Sequence, residues 1–156
     1  FFRASFYWDN FIHFGSGPKK GPDGKYYLTF PLDDKKMAGI AAADIGKCAY
    51  GIFKRGHELI GKTVGVAGEH LSGQQMADAL SRALNTEIIY NNVTPETYRS
   101  FGFPGADDLG NMFQFYRDFE EQCNSVRNVE FSKQLNPELQ SFDMWLQKNA
   151  SQIPLD

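Results

Sequence analysis

Between Thr63 and Ser100 the chain twice sets a short β-type run ahead of a helix-start signal, and this order constrains the fold more than any other feature. Thr63 to Ala67 reads as a strand. Ser72-Gly-Gln-Gln75 then has the form of a capping box, in which the serine side chain takes an amide of the first helical turn and the glutamine returns to the serine amide. Behind it, Met76, Ala77, Leu80 and Leu84 lie on one helical face. Glu87 to Tyr90 is a second β-type run, and Thr94-Pro95-Glu96 supplies a cap, a proline at the first helical position and an acid in the first turn. Strand, helix, strand, helix is the order of an α/β chain.

The flanking segments fit that class. Arg3 to Trp8 has the aromatic content of a short strand, and Asp9-Asn10 offers cap chemistry to a brief helical turn over Phe11 to Phe14. Gly15 to Gly24 reads as a mobile loop ending in turn residues. Tyr26 to Phe30 and Met37 to Ala41 read as edge strands around Asp33-Asp34-Lys35-Lys36, a stretch suited to a hairpin or to a change of strand. Asp44 can cap a helix that aligns Ile45, Cys48, Ala49, Ile52 and Phe53 and stops at Lys54, Arg55 and Gly56. Phe101-Gly-Phe-Pro-Gly105 breaks the chain. Leu109, Met112, Phe113, Tyr116 and Cys123 then stripe a long helix from about Asp107 to Asn124, Leu135-Asn-Pro137 turns, and Ser141 opens a helix with Phe142, Trp145 and Leu146 on one side. Short strands and about five helices are expected, in a single domain over residues 1–156.

Charge and cysteine usage narrow the partners. Sixteen Lys plus Arg against nineteen Asp plus Glu leave a net charge of -3, which disfavours direct nucleic-acid binding. Asp44 and Lys47 interrupt the most apolar stretch, Met37 to Phe53, so no membrane span is expected. Cys48 and Cys123 have no metal-ligand spacing and suit a reducing compartment, the cytoplasm, with the nucleus as a second location. The opening Phe-Phe-Arg-Ala-Ser-Phe-Tyr-Trp reads as the interior of a sheet, and an upstream half is expected.

Several patterns invite chemistry and have plainer readings. Tyr50 and Lys54 have the Tyr-x-x-x-Lys spacing of a reductase, but Lys54 falls in a last helical turn, where a cation complements the helix dipole. Gly61-Lys-Thr-Val-Gly-Val-Ala-Gly68 resembles a phosphate loop, yet Gly65 falls inside the strand and no ribose-binding acid follows Tyr90-Asn91. His13, His57 and His70 lack metal-site spacing, and Asp107-Asp108 suits the positive end of a helix. What remains is an aromatic concentration suited to a core or to a ligand-facing wall.

A series of short motifs resembles the NmrA-like proteins, atypical relatives of the short-chain dehydrogenase/reductases. It runs from Tyr7-Trp-Asp-Asn10 with Phe11, through Gly21-Pro-Asp-Gly24, Pro31-Leu32, Met37-Ala-Gly-Ile40 and Asp44-Ile-Gly46, to Gly102-Phe-Pro-Gly-Ala-Asp-Asp-Leu109, Asn111-Met-Phe113, Leu135-Asn-Pro137 and Trp145-Leu146. The resemblance implies the C-terminal part of an NAD(P)-binding Rossmann-like fold without the N-terminal dinucleotide-binding half. It implies NADP(H) as the cofactor of the complete protein, bound weakly or not at all by this chain alone. Tyr7, Trp8, Asp9 and Asn10 match the segment beside the nicotinamide end, and Phe101, Phe103, Met112 and Tyr116 the wall of a substrate-side cleft; no residue inherits a catalytic or metal-binding role. The function implied is a noncatalytic redox sensor that regulates, transcription included, through a protein partner or as a homodimer. An NAD(P)H-dependent reductase of a carbonyl or quinone compound and a truncated interaction module without cofactor are the alternatives.

Overall fold

Arg3 to Trp8 is two strands, and the break between them sets the layout of the molecule. In the computed structural model, which describes residues 1–155, β1 (Phe2–Arg3) runs parallel to β6 (Val64–Gly65), while β2 (Phe6–Tyr7) runs parallel to β5 (Lys36–Ile40). The chain changes sheets at Ala4-Ser5. Arg127 Nε donates to the Ala4 carbonyl at 3.0 Å, satisfying a group that neither ladder pairs. On its other edge β5 takes β7 (Glu69–Ser72) antiparallel. A third sheet joins β3 (Lys19–Lys20), β4 (Tyr26–Phe30) and β8 (Ile88–Asn92), with β4 parallel to β8 from Tyr26 opposite Ile88 to Phe30 opposite Asn92. The Asp33-to-Lys36 stretch therefore carries the chain from one sheet to another and closes no hairpin.

Where local signals are strong, the helices follow them. In α3 (Gly73–Leu84) both arms of the Ser72/Gln75 capping box form, Met76, Ala77 and Leu80 are buried, and left-handed Asn85 ends the helix. Thr94 caps α4 (Pro95–Ser100) and Ser141 caps α8 (Phe142–Asn149), whose Phe142, Trp145 and Leu146 are buried.

Elsewhere tertiary contacts decide. The described residues form eight α-helices, more than the five expected. The long helix over Asp107 to Asn124 is α5 (Ala106–Asp118) and α6 (Glu120–Ser125), parted where Phe119 leaves helical geometry. The reason lies outside the segment: Glu120 Oε1 accepts the Lys36 amide at 2.7 Å and draws α6 onto β5. Asn128 caps α7 (Val129–Leu135), a helix the sequence reading passed over. Lys19–Lys20 pairs with β4 inside a segment read as loop, and α1 (Asn10–His13) is the brief turn after Asp9. Asp44 is not the cap of α2 (Ala42–Arg55); it sits in the first turn, fully buried, while Asp9 Oδ2 accepts the Ala42 amide at 2.8 Å. Phe53, placed on the apolar face by its spacing, is 80% exposed.

Two cores result. The larger is aromatic, with Trp8, Phe11, Phe30, Phe113, Phe142 and Trp145 buried together between the sheets and α3, α5 and α8. The smaller gathers Ile40, Cys48, Val64, Val66, Leu135 and Leu139 between α2, α7 and β6. Full burial of each large apolar side chain contributes roughly 1.5–3 kcal/mol. Trp8 is seated by glycine: a Cβ on Gly39 would come 2.3 Å from its indole nitrogen.

Candidate functional site

α4 and α5 pack together, and the Phe101-to-Gly105 link between them faces the end of α1 across a cleft of about 480 Å³. Small-molecule sites run from roughly 300 to 1,000 Å³. Phe101 and Phe103 form one wall, Phe14 and the turn from Gly15 to Gly17 another, and Phe30 and Leu109 also line the cleft. The bend that aims the first wall depends on Gly102 and Gly105, whose φ values of 67° and 88° lie in the left-handed region.

Tyr98 joins these surfaces. Thr94 Oγ1 accepts the Thr97 amide at 3.2 Å and starts α4, which turns Tyr98 inward one turn later. Its ring lies 5.4 Å from Phe113 and 5.7 Å from both Phe101 and Phe103, edge-on to Phe103 at 88°. Burial pushes its phenol up to about 12. Tyr27, also on the wall, is raised because its hydroxyl donates to Asp23 at 2.6 Å. Among the described residues Lys19 is the one charged residue that lines the cleft.

The residues expected along a cofactor have separate tasks. Tyr7 is 42% exposed and presents its ring outward. Trp8 belongs to the aromatic core, and its amide donates to the Ile40 carbonyl at 3.1 Å. Asp9 holds the start of α2, and the Asn10 carbonyl accepts the Phe14 and Ser16 amides, each at 3.2 Å. The expected cleft wall also divides. Phe101 and Phe103 line the cleft together, whereas Met112 and Tyr116 are half-buried on α5 against the aromatic core. Arg127 stands 5.8 Å over the Tyr116 ring. Burial raises the Tyr116 phenol, Arg127 opposes that shift, and nearby Cys123 and Tyr7 add to it.

The remaining patterns take their plainer readings. Lys54 lies 5.6 Å over the exposed Tyr50 ring, a surface cation–π contact. A Cβ on Gly65 would come 2.1 Å from the Val126 carbonyl oxygen, so this glycine serves close packing. Asp107 and Asp108 occupy the first turn of α5. Among the described residues no group of three or more His, Cys, Asp or Glu side chains could hold a metal ion, and no helix is long and apolar enough to cross a membrane. Sequence reasoning missed Tyr98, Leu109 and Lys19. For Tyr98 a signal was present, since a cap at Thr94 places it one turn into the helix.

Comparison with known proteins follows the same lines. The model of the NmrA-like family matches residues 1–146. A curated relative, NmrA-like family domain-containing protein 1 of Rattus norvegicus, is 39% identical over 56 residues, which are 36% of this chain and 31% of the rat protein. Among solved structures, NmrA, a negative transcriptional regulator in complex with NAD, superposes with a TM-score of 0.72 at 22% identity, over 95% of this chain and 51% of that one. The Citrobacter sp. triphenylmethane reductase complexed with NADP(H) gives 0.72 at 15% identity, over 95% and 51%. An NADPH-dependent quinone oxidoreductase from Escherichia coli gives 0.64 at 17% identity, over 96% and 51%. The chain thus spans about half the length of these structures, and at such identities the likeness is one of fold.

Proposed function

The chain belongs to the NmrA-like family, and on that premise we propose that it is the ligand-facing and partner-facing part of a redox-sensing regulator that binds NADP(H) without turning over a substrate. One observation carries the noncatalytic part. Among the described residues no His, Cys, Asp or Glu, the usual acids and bases of catalysis, lines the cleft. NADP(H) passes beside Tyr7 in this reading, with Trp8, Asp9 and Asn10 fixing the backbone that presents it. The protein partner meets the outward face of α2, where Tyr50 and Phe53 are exposed.

A second reading, an NAD(P)H-dependent reductase of a carbonyl or quinone compound, draws on the open aromatic cleft and on the fold likeness to two reductases. Titration of NADPH into the complete protein, with its oxidation followed, separates the two. The expected result is binding with no oxidation when carbonyl or quinone compounds are added. Tyr7→Ala should weaken binding roughly three- to tenfold, the worth of one aromatic contact. Substrate-dependent oxidation of NADPH would replace the sensor by the reductase.

A further inference from the structure

The cleft between α1 and the α4–α5 link has a lining that selects among small molecules. Phe14, Phe101 and Phe103 are all exposed there, and a ligand that covered them would remove apolar surface from water. The polar groups are few. The Tyr27 hydroxyl is committed to Asp23, and Thr29 Oγ1 accepts from Asn91 Nδ2 at 3.1 Å. Ser16 adds a hydroxyl at the glycine-flanked turn.

Tyr98 differs from all of these. It is only 7% exposed, it lines the cleft, and its hydroxyl has no hydrogen-bond partner among the described residues. Ser5 Oγ and Asn124 Oδ1 are the unpaired side-chain atoms sealed from solvent among the described residues, so the Tyr98 hydroxyl keeps contact with water. Tyr98, framed by three aromatic rings and lining the cleft, offers a phenol donor that a ligand acceptor can take up in place of water. Charge narrows the ligand further. Among the described residues Lys19 lines the cleft and no carboxylate does; Asp23 contacts the lining residue Tyr27.

We propose that this cleft binds a flat aromatic ligand, neutral or anionic, that carries a hydrogen-bond acceptor, with the Tyr98 hydroxyl as the donor that orients it and Lys19 setting the charge preference. The inference rests on reading this cleft as the ligand side of the regulator. The phenol remains protonated, and therefore a donor, throughout the neutral range.

The probes are naphthalenes of one size: acetylnaphthalene with a carbonyl acceptor, ethylnaphthalene without one, anionic naphthoate and cationic naphthyltrimethylammonium. Binding to the 156-residue chain is followed by calorimetry. Acetylnaphthalene should bind more tightly than ethylnaphthalene, and Tyr98→Phe should remove that advantage, roughly five- to tenfold, while leaving ethylnaphthalene unchanged. The variant deletes an atom with no partner among the described residues, so its melting curve should match that of the parent. Lys19→Glu should weaken naphthoate and strengthen the cation. If no naphthalene binds, both the cleft reading and this inference fall. If all bind but Tyr98→Phe makes no difference, the donor assignment falls and the cleft reading stands.

Discussion

Asp44 shows how one residue ties distant segments. It is fully buried, and its carboxylate accepts from Asn136 Nδ2 at 3.2 Å, the Gln140 amide at 2.9 Å and Gln140 Nε2 at 3.2 Å. Asp44→Ala leaves these donors unpaired, and unfolding in urea should show a loss of about 3 kcal/mol. The sequence marked Asp44 as a helix-terminal acid but not as an inward anchor, because its partners lie far along the chain in the turn from Asn136 to Gln140. Two tyrosines set a pH limit. Burial raises Tyr90 and Tyr98 to about 12 from an ordinary value of 10.0. The folded state therefore holds protons that the unfolded chain releases first as pH rises, so their contribution is complete below pH 10 and lost toward pH 12. Denaturant midpoints measured across alkaline pH should be flat up to the lower value and fall between the two.

Legibility among the elements followed the range of the forces that form them. α3, α4 and α8 were readable because their caps lie within three residues of their targets. The runs Arg3 to Trp8 and Thr63 to Ala67 were readable as β-type, but the two-residue strands β1, β2 and β6 within or beside them, and β3 inside a segment read as loop, take their bounds from pairing partners far along the chain. The split of α5 from α6 depends on the Glu120 contact with Lys36, which no local pattern announces. Close approach between α2 and α7 was equally silent. Gly51 stands where an added Cβ would lie 2.2 Å from the Leu135 carbonyl oxygen. In an open helix Gly51→Ala would gain about 1 kcal/mol. Here thermal and urea unfolding should show a loss of roughly 1–3 kcal/mol, since the helices must separate.

For the molecule as a whole, the α/β class and the NmrA-like family were legible from the ordered short motifs, and the family match over residues 1–146 agrees. The cleft was legible only in part. The family resemblance, not any local pattern, pointed to Phe101 and Phe103, which do line the cleft, and the separation of Met112 and Tyr116 from them is a matter of which side of α5 each residue occupies. The division into two cores has an optical consequence. The chain has two tryptophans, and Trp8 and Trp145 lie 6.3 Å apart within the aromatic core, while the core between α2 and α7 has none. Intrinsic indole emission is therefore a local gauge. It registers loosening around that pair and is blind to melting of the α2–α7 layer, which far-ultraviolet dichroism would see.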